Sequence, residues 1–277
     1  MLSRFIAAVV LVPSALVAQA AVGYVRTPGD TVRYRSRTMI SIITDAPRGP
    51  SESSSAVDET IALVFGGGDS ATAWWESLDV SQARNGGRVH PVTTAVLGLP
   101  FAVRVDARGR IQVVKAPPLP DSVVRIRDLK SEFTDFGLRL PNGGGALAVG
   151  AEWSDTVVVR VALARGATTT TRTISHYRAE RDTTVDSVAA IVVRASEDGS
   201  VDGSTPARDG EAASTVALHG TGTSVYVFAP AIGRFIARQR SQEMSGTVEV
   251  VTGGGETSLP LSARYDGTIR LVATPKS

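Results

Sequence analysis

One segment carries oxygen side chains at the spacing of a calcium-binding loop. From Asp198 to Asp209, side-chain oxygens fall at loop positions 1, 3, 5 and 12, with glycine at position 6. Ca²⁺ prefers six to eight oxygen ligands around a sharp glycine turn. The flanking sequence predicts strands rather than helices, and Asp209 is shorter than the glutamate that usually closes such a loop. We therefore expect 198–209 to be a mobile, solvated loop rather than a calcium site.

Other catalytic chemistry has little support in the sequence. The chain has no cysteine and only three histidines, His90, His176 and His219. This excludes thiolate catalysis, and it makes a multi-histidine metal centre unexpected. Nucleophile-elbow, Ser-x-x-Lys, phosphate-loop and His-Glu-x-x-His motifs are absent. We predict a non-enzymatic protein with no cofactor and no metal. A hydrolase without a recognisable motif is the third alternative, because a triad can assemble from distant residues.

Charge composition argues against a nucleic-acid partner. The chain has 29 Lys and Arg against 27 Asp and Glu, for a net charge of +2. Its arginines are spread through the sequence rather than clustered with aromatic residues, as a nucleic-acid groove would need. They indicate solvated strand faces.

Residues 1–20 are typical of a secretory signal peptide. Arg4 precedes an apolar run over 5–17, and Ala18-Gln19-Ala20 resembles a cleavage site. The run is too short to span a bilayer, which takes about 20 residues. We expect an exported mature chain, 21–277, that is periplasmic or extracellular and has no integral membrane segment after signal removal. An uncleaved membrane anchor is the alternative.

Alternating apolar and polar residues dominate the mature chain and predict a mainly antiparallel β protein. Glycine-rich turns at 66–69 and 106–109 predict hairpins, and Asp266-Gly267 predicts another. The predicted strands lie at 31–38, 59–65, 71–80, 101–105, 110–114, 147–163, 168–180, 184–196, 213–219, 223–229, 233–241, 246–252, 257–264 and 268–274.

One segment has helical rather than strand periodicity. Apolar residues between 121 and 137 recur in steps of three and four, ending in Leu129, Phe133 and Phe136. This predicts one main helix near 121–137. It either covers part of the sheet or forms a lid across its mouth.

These elements predict a single domain, 21–277, containing a curved antiparallel sheet that forms an open or half barrel. The helical segment joins two β halves, at about 29–118 and 146–275. Two packed halves resembling β-sandwiches are the alternative.

Several local patterns resemble a family of exported bacterial β-rich proteins known as a domain of unknown function. The patterns lie at 98–114, 140–153, 220–228 and 244–248, in the order found in that family. Where the family often has Asp after the third pattern, this chain has Ala229. The family is similar in outline to half-barrel carriers of the outer-membrane lipoprotein-carrier type. The resemblance implies a curved sheet around an apolar cavity, a helical lid and an exported location, and it transfers no catalytic residue.

The expected function is to bind an apolar or amphipathic, lipid-like ligand in the concave face of the sheet. Trp74 shares an alternation with Leu78 and Val80, which places it on the more apolar face, and Trp75 is the alternative. A structural or protein-interaction module of the cell envelope is the second hypothesis. The residues predicted to line the ligand site are Trp74, Leu129, Phe133 and Phe136.

Overall fold

A computed structural model describes residues 23–47, 49–84, 86–119, 136–141, 147–162, 166–207, 212–252 and 255–272. Within these ranges the chain is almost entirely extended, as the alternating sequence predicts. Short 3-10 helices lie at Thr94–Val96 and Pro230–Ile232. The strands are β1 (Thr31–Ala46), β2 (Gly49–Phe65), β3 (Ser70–Arg84), β4 (Gly87–Val89), β5 (Phe101–Val105), β6 (Ile111–Lys115), β7 (Glu152–Ala162), β8 (Thr168–Val185), β9 (Val188–Thr205), β10 (Ala213–Ala229), β11 (Arg234–Thr252) and β12 (Gly255–Val272).

All of these strands belong to one antiparallel sheet. Its order is β6-β5-β3-β2-β1-β12-β11-β10-β9-β8-β7, and β4 pairs with β3. The first and last strands therefore lie side by side in the middle, whereas β6 and β7 are the edges. No backbone ladder of the described residues joins β6 to β7, so the sheet is not closed into a barrel. The predicted mainly β, curved and open sheet is confirmed.

The one main helix predicted near 121–137 is not confirmed. Most of that range lies outside the described residues. Phe136 and Gly137, at its end, are not helical. Elsewhere, no helix in the described part of the chain is long and apolar enough to cross a membrane.

Two predictions that relied on glycine as a turn signal were wrong. Residues 198–205, expected in a mobile loop, continue strand β9, and Asp266-Gly267 lies inside β12. In each case the glycine makes room for a neighbouring side chain instead of reversing the chain. A Cβ on Gly199 would lie 2.3 Å from Gln242 Nε2, and one on Gly267 would lie 2.8 Å from the Tyr265 hydroxyl oxygen.

Two glycines on the inner face of the sheet lie where β10 and β11 approach each other closely. A Cβ on Gly220 would lie 1.9 Å from the backbone oxygen of Glu243. A Cβ on Gly246 would lie 1.9 Å from the backbone oxygen of Ala217. No side chain fits at such distances, so the close approach of the two strands requires glycine at both positions.

The tightly packed core occupies one end of the curved sheet, which we call the packed end. Tyr34 stacks on Phe235 at 4.5 Å between ring centroids, and the Phe136 ring lies edge-on to Tyr34 at 5.2 Å. Segment 136–141 crosses this end, where the Tyr24 hydroxyl donates to the Leu138 carbonyl at 2.8 Å. Burial raises the pKa of both Tyr24 and Tyr34.

Candidate functional site

Next to the packed end, charged side chains from three strands lie on the inner face of the sheet. Glu59 comes from β2, Glu197 from β9, and Arg238 and Arg240 from β11, and all four are buried. We call this set the charged layer. It separates the aromatic core from the more open half of the same face.

Two members of the charged layer are joined across the intervening strand β10. Arg240 donates from Nε to Glu197 Oε2 at 2.7 Å, and the Ser224 hydroxyl donates to Glu197 Oε1 at 2.6 Å. The Arg240 guanidinium also lies 5.3 Å from the ring centroid of Tyr265. Glu197 and Arg240 therefore compensate each other's charge within the sheet, as burial requires.

Beyond the charged layer, the inner face becomes a trough lined by small and aliphatic side chains. Strand alternation places these residues on the same face as the core, yet each stays partly exposed, because no described element covers them. The aliphatic members are Ile40, Ile42, Val201, Val216, Met244, Val248, Leu259, Leu261 and Ala263.

A cavity of about 680 Å³ occupies the part of the trough formed by β1 to β4. Ile40 and Ile42 supply its apolar floor. Ser51, Ser53 and Ser55, on the neighbouring strand β2, supply hydroxyl groups. The volume lies in the range of about 300–1,000 Å³ that is usual for small-molecule sites. An apolar floor beside hydroxyl groups suits a ligand with both apolar and polar parts.

The cavity wall also includes two exposed arginines, Arg84 at the end of β3 and Arg88 in β4. Among the described residues, no carboxylate lies within 4.0 Å of either guanidinium. Val89, beside Arg88, is 62% exposed. The cavity therefore combines uncompensated positive charge with exposed apolar surface.

The outer face of the sheet is mainly polar. On β1 it carries Arg33, Arg35 and Arg37, and on β9 it carries Arg194, Asp198 and Asp202. The exposed apolar side chains of this face are scattered. Its polar surface suits contact with water, whereas the trough exposes aliphatic groups.

A β-bulge in β3 exchanges the expected faces of the two adjacent tryptophans. Thr60 pairs with Ser77, but Ile61 pairs with Trp75, so Glu76 is an extra residue in the ladder. Trp75 therefore faces inward with Leu78, and its indole N–H donates to Glu59 at 2.8 Å. Trp74 lies half-buried on the outer face, so its predicted alignment with Leu78 and Val80 was wrong.

The structure does not bring the four predicted ligand residues together in the trough. Trp74 lies on the outer face, and Phe136 is buried in the packed end. Leu129 and Phe133 lie outside the described residues. Sequence reasoning missed Ile40 and Ile42, because the adjacent Ile42 and Ile43 hide an alternation that continues unbroken from Val32.

Ser154 and His176 form a possible catalytic pair by residue type. The hydroxyl oxygen lies 2.9 Å from Nδ1 across strands β7 and β8, on the exposed outer face. Within the described part of the chain, no carboxylate hydrogen-bonds the imidazole. A nucleophile activated in the manner of a triad needs such an orienting group. The contact is that of a cross-strand polar pair.

The residues of the calcium-like pattern do not converge. Asp198 and Asp202 lie four positions apart on the outer face of β9. Across the described ranges, no group of three or more His, Asp or Glu side chains could hold a metal ion. Asp209 lies outside those ranges.

Comparison with known proteins gives no family. No family model matches the chain, and no curated protein matches it. A structure titled "Lipid-protein interactions in lipovitellin" aligns at 13% identity and a TM-score of 0.48, covering 91% of this chain and 26% of that one. Pseudomonas aeruginosa OccK5 (OpdH) aligns at 8% identity and a TM-score of 0.24, covering 90% and 100%. A mutant porin of Rh. blastica aligns at 10% identity and a TM-score of 0.15, covering 88% and 99%.

Proposed function

We propose that this chain is an exported, non-enzymatic protein that binds an amphipathic ligand in the trough of its curved sheet. The observation that carries the proposal is the cavity of about 680 Å³, in which Ile40 and Ile42 stay partly exposed on the inner face. An exported location follows the resemblance of the motifs at 98–114 and 220–228 to exported bacterial β-rich proteins.

The distribution of polarity supports a ligand on the inner face. Each Å² of apolar surface that a ligand covers on the inner face contributes about 25 cal/mol to the free energy of binding. An acyl chain contributes about 0.8 kcal/mol for every CH₂ group that it buries. The outer face offers no comparable gain, because Thr, Ser and charged residues dominate it.

The polar groups of the cavity favour an anionic head group. Arg84 and Arg88 have no carboxylate partner among the described residues, and Ser53 and Ser55 supply hydroxyl donors nearby. Guanidinium groups bind carboxylates and phosphates through two parallel N–H donors. In a single-chain anionic amphiphile, such as a fatty acid, the head group would pair with the arginines and the acyl chain would pack against the isoleucines.

Two adjacent residues of β1 provide a matched test. Ile42 faces the cavity, whereas Ile43 faces outward and is 42% exposed. With 11-(dansylamino)undecanoate as the fluorescent probe, we expect Ile42→Asp to weaken binding at least 10-fold. Ile43→Asp should change binding less than 2-fold.

A thermal melt of each variant checks folding, and Ile42→Trp provides a second variant that fills the cavity without adding charge. Equal loss in the Ile42→Asp and Ile43→Asp variants, or unchanged binding by a folded Ile42→Trp variant, would contradict the proposal. Probe binding by Arg84→Gln/Arg88→Gln should weaken as well, with less effect on a neutral dansyl ester.

A protein-interaction module of the cell envelope is a second candidate, favoured by the free edge of β7. Within the described residues nothing pairs with this edge, and Val158 is 49% exposed there. Such an edge can accept an extended strand from a partner. Val158→Pro would block strand addition while leaving probe binding in the trough intact, so the two functions can be separated.

A further inference from the structure

The uncharged part of the inner face is much wider than the cavity between β1 and β4. Beyond Glu197 and Gln242, the inward positions of β7 to β12 carry only Val, Leu, Met, Ala, Gly, Thr or Ser among the described residues. We call the inner face of segments 157–161, 169–173, 199–205, 214–220, 244–250 and 257–263 the second bay.

The outward positions of the same six strands have a different composition. They include Arg160, Arg172, Asp198, Asp202, His219, Glu243, Glu249, Glu256 and Arg264. Since inward and outward positions alternate along each strand, ionisable residues are confined to one face of this part of the sheet. An inner face in contact only with water would not require that separation.

The centre of the second bay is aliphatic and partly exposed. Val201, Val216, Val248 and Leu261 lie on the four neighbouring strands β9 to β12, and none of them is fully buried. No described element covers these side chains. Covering them would remove apolar surface from water, which favours an apolar occupant.

The second bay is continuous with the cavity of about 680 Å³. Ile42, on the floor of the cavity, is the register partner of Ala263, which is in turn the register partner of Met244. All three side chains are partly exposed on the inner face. Apolar groups can therefore occupy the cavity and the second bay side by side, with no charged side chain between them.

The dimensions of the second bay suit an acyl chain. Six strands at the usual spacing of about 4.8 Å extend over about 24 Å. The hydrocarbon core of a bilayer is about 30 Å thick, so each acyl chain of a membrane lipid spans about 15 Å. The second bay can therefore hold one such chain beside a chain in the cavity. Because the second bay supplies no charge, its occupant needs no head group of its own.

We propose that the trough binds an anionic lipid with two acyl chains, one in the cavity between β1 and β4 and the other in the second bay. This inference rests on the proposed function and specifies the class of its ligand. A single head group at Arg84 and Arg88 serves both chains. This arrangement accounts for positive charge at the β3–β4 side of the trough and its absence from the β7–β12 side.

The test compares dioctanoyl phosphatidylglycerol with its single-chain octanoyl lyso form, each as a competitor of 11-(dansylamino)undecanoate on the mature chain. The two lipids share a head group and an acyl length, so the ratio of their affinities reports the second chain alone. We expect the two-chain lipid to bind at least about 30-fold more tightly, since burial of about three CH₂ groups is enough for that ratio.

Two adjacent residues of β9 provide the matched variants. Val201 faces the second bay, whereas Ser200 faces outward between Arg172 and His219, its register partners. Val201→Asp should lower the affinity ratio at least about 10-fold and change binding of the dansyl probe less than 2-fold. Ser200→Asp should leave both unchanged. Thermal melts check folding, and Val248→Asn should lower the ratio without adding charge.

Equal affinity of the wild type for the two lipids would overturn the second chain while leaving the cavity as a ligand site. Two fatty acids per chain in native mass spectrometry, together with equal lipid affinities, would assign the second bay to a separate molecule. A dimer of the ligand-free chain that Val201→Asp dissociates would assign it to a second copy. Failure of the wild type to bind the probe or either lipid would contradict the proposed function itself.

Discussion

Arg240 donates its Nε–H to Glu197 across 2.7 Å on the inner face of the sheet, where both side chains are buried. The Ser224 hydroxyl donates a hydrogen bond to the other oxygen of the Glu197 carboxylate. This contact joins β9 and β11 at the level where the packed core ends and the trough begins. A charged pair rather than aliphatic packing therefore marks this boundary of the trough.

Glu197→Ala should therefore destabilise the protein by about 3–5 kcal/mol, because it leaves the buried charge of Arg240 without this carboxylate. Replacing both partners, as Glu197→Leu/Arg240→Met, should restore much of that loss. Urea unfolding of the single and double variants gives the coupling free energy. Losses that simply add in the double variant would contradict a coupled pair.

The two tryptophans should respond very differently to the same substitution. Trp75→Phe removes the buried indole N–H that donates to Glu59 and should cost about 1–3 kcal/mol. Trp74→Phe, on the outer face, should cost less than about 1 kcal/mol. Chemical denaturation measures both. A larger loss for Trp74→Phe than for Trp75→Phe would show that Glu76 is not the extra residue of the β-bulge.

Gly220→Ala tests the close approach of β10 and β11. Its new Cβ would meet the Glu243 carbonyl oxygen, so we expect a loss of at least about 1–3 kcal/mol, the usual cost of overpacking. Gly67→Ala is the matched control, since nothing lies within 4 Å of its Cβ position. The control should shift the free energy of unfolding by no more than about 1 kcal/mol. A tolerated Gly220→Ala would show that the two strands are not this close at Gly220.

Alkaline pH should unfold the packed end through its buried tyrosines. Burial raises the pKa of Tyr34 above its usual value of about 10, so the folded state keeps the phenol neutral while the unfolded state ionises. The contribution of Tyr34 to the free energy of unfolding is fully present below about pH 10, and it is lost as pH rises further.

Tyr34→Phe should flatten that alkaline decline in the free energy of unfolding. Phe235→Leu serves as the control, because it loosens the same ring stack without removing a titratable group. An alkaline decline of equal slope in wild type and Tyr34→Phe would contradict this assignment.

Fold class was predictable because period-two alternation is a local property of the sequence. The hairpins at 66–69 and 106–109 were predicted for the same reason, and β2–β3 and β5–β6 confirm them. The turns expected at Asp266-Gly267 and in 198–205 were wrong, because glycine there accommodates Tyr265 and Gln242 from within the sheet. Gln242 lies on a different strand from Gly199, so that contact cannot be inferred from neighbouring residues in the chain.

The candidate site was less predictable than the fold. Trp75 and Leu78 share a face only because one bulge shifts the alternation, and the sequence does not mark that bulge. The pairing of β1 with β12 joins residues more than two hundred positions apart, and it brings Ile42 opposite Ala263. Such juxtapositions arise from topology rather than from spacing along the chain.

The most direct measurement of the central claim is photolabelling with a fatty acid that carries a terminal diazirine, followed by residue-level mass spectrometry. Inner and outer positions alternate along β1, so a single peptide distinguishes the two faces. Adducts on Ile40 and Ile42 that excess unlabelled fatty acid suppresses are the predicted result. Adducts confined to Met39 and Ile43, or labelling that no competitor reduces, would contradict a ligand site in the trough.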